Sequence, residues 1–212
     1  MQPSIAVKPL ILSLVLSTSA FAAQAKALEL QTYNPGATSL FPVSSELIVG
    51  DNEAVLIDAQ FEKKDANALI DMIKKSGKTL TTIYISHGDP DFYFGLQTLA
   101  AAYPQAKIVA TQPTVDHIKA TQNAKLQFWG PLMKDQAPTK IITPEVLQGN
   151  EITLEGQKLI IEDLDSASPD RTYVWIPSLK AVVGGMTASV PFIQIFWAST
   201  ITVKVSSSIP VS

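Results

Sequence analysis

Apolar positions along residues 28–120 recur with a period of two in some stretches and about 3.6 in others, which predicts alternating strands and helices. A helix is predicted over 62–76, where Ala66, Leu69, Ile70 and Ile73 share one face. Strands are predicted at 28–30, 40–43, 46–49, 53–58, 80–85 and 107–110, and further helices at 91–103 and 113–120. Such β/α alternation implies parallel strands joined by helical crossovers.

The second half of the chain has a different pattern. Strands are predicted at 152–154, 158–163, 172–176 and 181–183, with hairpin turns that favour an antiparallel or mixed sheet. Between the halves, 122–138 is predicted to be a connection. Its Phe128 and Trp129 either form a lid or substrate wall or fill a gap in the core.

Composition narrows the class of protein. The net charge is −3 and basic residues are scattered, which excludes an obvious electrostatic surface for nucleic acid or for an anionic membrane. The chain has no cysteine, so it forms no disulfide and offers no thiolate to a metal. The expected partner is a small-molecule substrate.

The N-terminus has the pattern of a secretory signal peptide over residues 1–25. Lys8 precedes an apolar run at 9–17, and two A-x-A cleavage sites follow at 20–22 and 23–25. The apolar run is short for a membrane span. We therefore expect export, cleavage near residue 23 or 26, and a bacterial periplasmic or secreted protein with no membrane attachment afterwards.

One imidazole and two carboxylates lie at the turn after the predicted strand 80–85. His87, Asp89 and Asp91 stand within five residues, directly before an apolar stretch with helical spacing. One interpretation is a metal site, because histidine nitrogen and carboxylate oxygen both bind Zn²⁺ or a similar divalent ion. The other is a turn at Asp89-Pro90 with Asp91 at the start of a helix. His117, alone on a predicted helix, is interpreted as a surface or packing residue.

The stretch SHGDPDFYFGLQTL resembles the H-x-H-x-D-H turn of the metallo-β-lactamase superfamily. His87 and Asp91 match that motif, whereas Asp89 and Phe92 stand where the family has histidines. A second segment, 165–185, matches the family at Asp170 and Thr172, among other positions. The resemblance implies an αββα sandwich whose C-terminal part is incomplete here.

The resemblance also implies roles for individual residues. His87, Asp89 and Asp91 would bind Zn²⁺ or another divalent metal, and Asp91 would also be catalytic. Asp58 would contact the metal ligands and not the metal itself. Two further family ligands are missing, because the loop histidine falls near Ser166 and the metal-bridging aspartate falls at Gly185. The implied activity is hydrolysis of an ester, lactone or amide by metal-activated water.

The predicted organisation is a signal peptide over 1–25, one domain over 26–185 and an atypical apolar tail over 186–212. The tail has only Lys204 as a charge, and we expect a truncation or frame change near Met186. Two other functions stay open beside the hydrolase. They are a non-catalytic, metal-poor binding or structural protein of the same fold, and a truncated gene product.

Overall fold

The computed structural model describes residues 27–185 and 203–204. The structure contains two sheets. The first has six strands that neighbour one another in chain order, and the second has five, which also lie side by side in the order of the chain. The strands of the first sheet are β1 Glu29–Tyr33, β2 Ser45–Val49, β3 Glu53–Ile57, β4 Thr79–Ile85, β5 Lys107–Ala110 and β6 Glu145–Val146. Those of the second are β7 Glu151–Leu154, β8 Gln157–Glu162, β9 Tyr173–Ile176, β10 Ala181–Val183 and β11 Val203–Lys204.

The described helices are α1 Lys63–Ser76, α2 Pro90–Tyr93, α3 Leu96–Ala102 and α4 Gln112–Met133. Two short 3₁₀ turns lie at Gly36–Thr38 and Lys134–Gln136. No described helix is long and apolar enough to cross a bilayer. Helix α1 ends as predicted at Gly77, whose φ of 69° is left-handed and suits a residue without a side chain.

Strand direction follows the prediction. β3, β4, β5 and β6 run parallel, while β2 is antiparallel to both of its neighbours, β1 and β3. The second sheet is antiparallel throughout. Parallel strands need crossovers, which are supplied by α1, by α2 with α3, and by α4 with its flanking segments. The carboxyl ends of β3 and β4 therefore lie side by side at one edge of the first sheet.

Two cores flank the first sheet. On β3, Ala54 and Leu56 face the helices, whereas Val55 and Ile57 face the second sheet. Burial on both faces explains why this strand is a continuous apolar run with no polar alternation. Side chains from all four described helices belong to the first core and none to the second. The described part thus has the α-β-β layers of the expected sandwich.

Several predicted elements differ from the structure. Residues 40–43 form a loop, because Phe41 turns into an aromatic cluster with Phe61 and Trp129. The helix predicted over 91–103 is broken between α2 and α3. At Gly95 a Cβ would collide with the Ala59 carbonyl oxygen. The break therefore lies where the backbone at Gly95 packs directly against the backbone at Ala59.

The largest difference concerns α4, which extends to Met133 where a connection was predicted from 122. Trp129 packs edge-on against Phe41 and Phe61, so it fills the core, while Phe128 is 63% exposed. Tertiary packing of Leu126 and Trp129 compensates for the weak amphipathic pattern of this helix. The predicted tail lies outside the described part except for residues 203–204, and the truncation or frame change near Met186 stays a prediction.

Candidate functional site

The turn after β4 lies at the carboxyl edge of the first sheet, as predicted. His87 follows Ser86 directly after the strand and is only 4% exposed. The loop at 170–172 fixes the turn from the other side. Thr172 N–H donates to the Ser86 carbonyl at 2.9 Å, and Gly88 N–H donates to the Asp170 carbonyl at 3.2 Å. The segment matched to the family by Asp170 and Thr172 is therefore part of the same site.

Asp58 reaches His87 through Ser86. The buried Asp58 carboxylate accepts the Ser86 backbone N–H at 2.8 Å and the Ser86 hydroxyl at 2.7 Å. Ser86 Oγ lies 3.0 Å from His87 Nδ1. Because the Ser86 hydroxyl donates its hydrogen to Asp58, His87 Nδ1–H must donate to Ser86 Oγ, which leaves the lone pair of the imidazole on Nε2. Asp58 is thus linked to His87 through Ser86, and the supporting role that the resemblance implies for it stays a prediction.

Burial controls protonation in this chain of groups. Burial, together with the nearby Arg171 guanidinium, lowers the pKa of His87 to about 4, so the imidazole is neutral at physiological pH. Burial raises the pKa of Asp58 to about 7, although hydrogen bonds from Ser86 act in the opposite direction. A neutral, oriented histidine is the form that binds a metal or accepts a proton.

An aromatic ring covers this histidine. Phe92 is stacked on His87 with ring centroids 4.4 Å apart and planes 25° apart. Gly185 closes the same space from the end of β10, and its N–H donates to Ser86 Oγ at 3.2 Å. A Cβ at Gly185 would lie 2.4 Å from Phe92 Cε1 and 2.9 Å from His87 Cε1. Phe92, His87 and Gly185 are thus in close contact, with no room for another group between them.

Asp89 forms ion pairs with two cationic side chains. Its carboxylate is 3.0 Å from Arg171 Nη2 and 3.7 Å from Lys125 Nζ. Asp91 lies in the first turn of α2, where burial raises the pKa of its carboxyl to about 6. The three predicted ligands therefore have different surroundings.

A metal does not fit this arrangement. Within residues 27–185 and 203–204, no three His, Cys, Asp or Glu side chains form a group that could hold a metal ion. Phe92 supplies no donor atom, and its ring occupies the face of His87. Metal binding by His87, Asp89 and Asp91, and the catalytic role of Asp91, remain predictions that this geometry does not support.

Ser166 lies on the loop between β8 and β9. It lines an open cavity of about 420 Å³ together with Asn150, Glu162 and Asp165, and His87 is not part of that lining. The position that the resemblance assigns to a loop ligand therefore lacks the residue type of a metal ligand.

A charged network beside the turn was missed in the sequence. His117 Nδ1 is 2.6 Å from Asp170 Oδ2, and His117 Nε2 is 3.1 Å from Lys125 Nζ. Lys125 also donates to the Gly88 carbonyl at 2.8 Å. His117 is therefore more than an isolated surface residue, because it joins α4 to the site turn. The spacing of His117 and Lys125, eight residues apart on one helix face, indicates this only if α4 is extended past residue 120.

A second buried carboxyl was also missed. Glu46 on β2 is fully buried, and among the described residues neither of its oxygens has a partner in hydrogen-bonding geometry. Burial raises the pKa of Glu46 to about 8, and the neighbouring Asp58 acts in the same direction, whereas the nearby Gly184 backbone acts in the opposite one. Its strand neighbours Leu47 and Ile48 are apolar, so the sequence indicates only an ordinary surface glutamate on a half-buried strand.

The chain belongs to the metallo-beta-lactamase superfamily, whose family model matches residues 38–187. The match spans both the site turn and the 165–185 segment, and it agrees with the two-sheet fold and the position of His87. The resemblance proposed from the motifs is thereby confirmed at the level of family and fold.

Individual proteins match this chain either over a short segment or at low sequence identity. The uncharacterized protein YobT of Bacillus subtilis (strain 168) is 34% identical over 74 residues, which are 35% of this chain and 31% of that protein. The chain thus covers less than a third of it. The BLEG-1 B3 metallo-beta-lactamase structure has a TM-score of 0.50 at 13% identity, covering 70% of this chain and 67% of that one.

A double mutant of the sec-alkyl sulfatase PisA1 also has a TM-score of 0.50. It is 17% identical to this chain, with coverage of 66% of this chain and 27% of the sulfatase. At such identities the similarity supports the fold alone. What the chain binds or converts must be argued from its own residues.

Proposed function

We propose that this chain is a non-catalytic, metal-free member of the superfamily, which uses the hydrolase-like fold for binding. The observation that carries the proposal is the Phe92 ring stacked on His87. A metal needs several donor side chains around it, and Phe92 fills the space beside His87 with a side chain that is only 9% exposed and supplies no donor atom. A Cβ at Gly185 would collide with Phe92 and crowd His87, so that position holds no ligand side chain either.

The electrostatics around Asp89 support the same proposal. Arg171 and Lys125 both lie beside this carboxylate. A divalent cation bound there would have to displace or tolerate two positive side chains, which disfavours it by like-charge repulsion. The ion pairs hold the loop at 170–172 and helix α4 on the turn, which is a structural role.

A metal-dependent hydrolase acting on an ester, lactone or amide is the second candidate. One observation favours it, because burial keeps the His87 imidazole neutral and the hydrogen bonds through Ser86 to Asp58 hold it in one tautomer, as a ligand histidine requires. This candidate requires further ligands beside His87, where Phe92 supplies no donor atom. The first candidate requires none.

Calorimetric zinc titration of the exported form of the protein tests the proposal. We expect the wild type to show no binding at micromolar Zn²⁺. The variant Asp89→His/Phe92→His gains two imidazoles and should bind zinc through His87 if the turn keeps its backbone. His87→Ala in that double variant is the matched control and should abolish the gain. Stoichiometric zinc in the wild type, lost in His87→Ala, would instead establish the hydrolase candidate.

Location and partners complete the proposal. Export through residues 1–25 to the bacterial periplasm or beyond is supported by the pattern of those residues, which lie outside the described part. A small molecule is the proposed partner, with neither nucleic acid nor a membrane involved after cleavage. Mass spectrometry of the exported protein should give a mature N-terminus near residue 23 or 26. A chain that retains Met1 would contradict export.

A further inference from the structure

Phe92 and Gly185 come from opposite ends of the fold and meet at His87. Phe92 lies on α2, directly after the site turn, and Gly185 follows β10 of the second sheet. The sequence resemblance places a histidine at the first position and a metal-bridging aspartate at the second. The structure shows that these two departures from the family are in physical contact.

Neither residue can retreat easily from the other. The Phe92 carbonyl accepts Ala59 N–H at 2.7 Å, and Phe92 N–H donates to the Asp89 carbonyl at 3.1 Å. Gly185 N–H is bonded to Ser86 Oγ. Gly184 has a φ of 96°, a left-handed conformation that holds the chain in its turn. The backbone is therefore held on both sides, and room at position 185 would have to come from a movement of the Phe92 ring.

The distances make the two positions interdependent. With Phe92 present, a Cβ at Gly185 would lie 2.4 Å from Cε1 and 2.7 Å from Cζ of the ring, closer than real Cβ atoms approach other heavy atoms. The ring is also stacked on His87, so a movement away from position 185 would disturb that pair. A side chain at 185 thus requires either a shift of the ring or a smaller residue at 92.

We propose that Phe92 and Gly185 form a two-residue lock at His87, in which the Phe92 ring fills the space that a ligand side chain at 185 would need. This inference rests on the proposed function. It follows that a ligand side chain at 185 is accepted without a shift of the ring only after Phe92 has been replaced. It also follows that supplying a histidine at 89 alone leaves that space filled.

A double-mutant cycle measured by thermal unfolding tests the lock. The four proteins are the wild type, Phe92→Ala, Gly185→Ala and the double variant. Overpacking of the ring should make Gly185→Ala lower the Tm by about 5–10 °C in the wild type. In the Phe92→Ala background, where the ring is gone, the same change should shift the Tm by less than about 2 °C. Gly130→Ala is the control, because a Cβ there meets nothing within 4 Å.

The cycle decides the inference even if some ligand variants fold poorly. Equal Tm losses from Gly185→Ala in both backgrounds would overturn the lock, since the two positions would then be energetically independent. That outcome would leave the proposed function standing. Stoichiometric zinc in the wild type would overturn the proposed function, and the cycle would still report whether the two residues are coupled.

Zinc titration is a second test of the lock. Phe92→His/Gly185→Asp should bind Zn²⁺ at micromolar concentration, with His87 as one ligand. Asp89→His alone, which keeps Phe92 and Gly185, should not bind. Zinc binding by Asp89→His of the same strength as by the double variant would contradict the lock, because the ring would then present no obstacle.

Discussion

The buried Glu46 carboxyl makes the stability of this protein depend on pH, and Glu46→Gln should remove much of that dependence. Glu46 is fully buried on β2, and its oxygens have no partner in hydrogen-bonding geometry within the part of the chain that the structure describes. The folded protein holds the pKa near 8, compared with 4.5 for an ordinary glutamate. The folded state therefore prefers the protonated form, and the unfolded state ionises first as the pH rises.

The sign of the effect follows from that order. The contribution of the protonated Glu46 to the free energy of unfolding is complete below about pH 4.5 and is lost as the pH rises through 8. At ~1.4 kcal/mol per pKa unit, the ceiling is about 5 kcal/mol. Relaxation around the buried charge reduces this, so we expect roughly 2–3 kcal/mol between pH 5 and pH 8. Asp58, with its pKa raised to about 7, adds a slope of the same sign.

Urea unfolding followed by tryptophan fluorescence at pH 5, 6.5 and 8 measures the effect. Glu46→Gln should differ little from the wild type at pH 5 and be more stable by ~2–3 kcal/mol at pH 8. A slope should remain because of Asp58. Glu145→Gln, at an exposed strand glutamate, is the control and should follow the wild type. Parallel pH curves for the wild type and Glu46→Gln would refute the reasoning.

Three further predictions concern packing and the charged network. His117→Ala removes the partner of Asp170 and Lys125, so it should lower the free energy of unfolding by about 1–3 kcal/mol in urea denaturation, and an unchanged midpoint would contradict the network. In the same urea denaturation, Trp129→Ala should lower the free energy of unfolding by about 3–5 kcal/mol, and Phe128→Ala on the exposed face by less than about 0.5 kcal/mol. Equal losses would contradict the core position of Trp129. Gly95→Ala should destabilise strongly in a thermal melt, because its Cβ would collide with a backbone carbonyl, and a wild-type Tm would contradict that close approach.

Local pattern was sufficient for much of the fold. The apolar spacing of helix α1 and the end of that helix at Gly77 depend on residues that are neighbours in the chain. Strand β3 is apolar because both of its faces are covered. The turn from β4 into His87 and the family resemblance also depend on residues close together in the chain. Helix α4 was underestimated because its packing partners Phe41 and Phe61 lie far away in sequence, and a low amphipathic signal cannot reveal them.

The sequence by itself determined the family, the alternation of strands and helices, and which residues stand at the ligand positions. Only the tertiary structure decided what those residues do, because side-chain surroundings come from segments distant in the chain. Asp89 is held by Lys125 and Arg171, which follow it by 36 and 82 positions. Phe92 and Gly185 are 93 positions apart in the chain, so their steric contact cannot be inferred from the spacing of neighbouring residues.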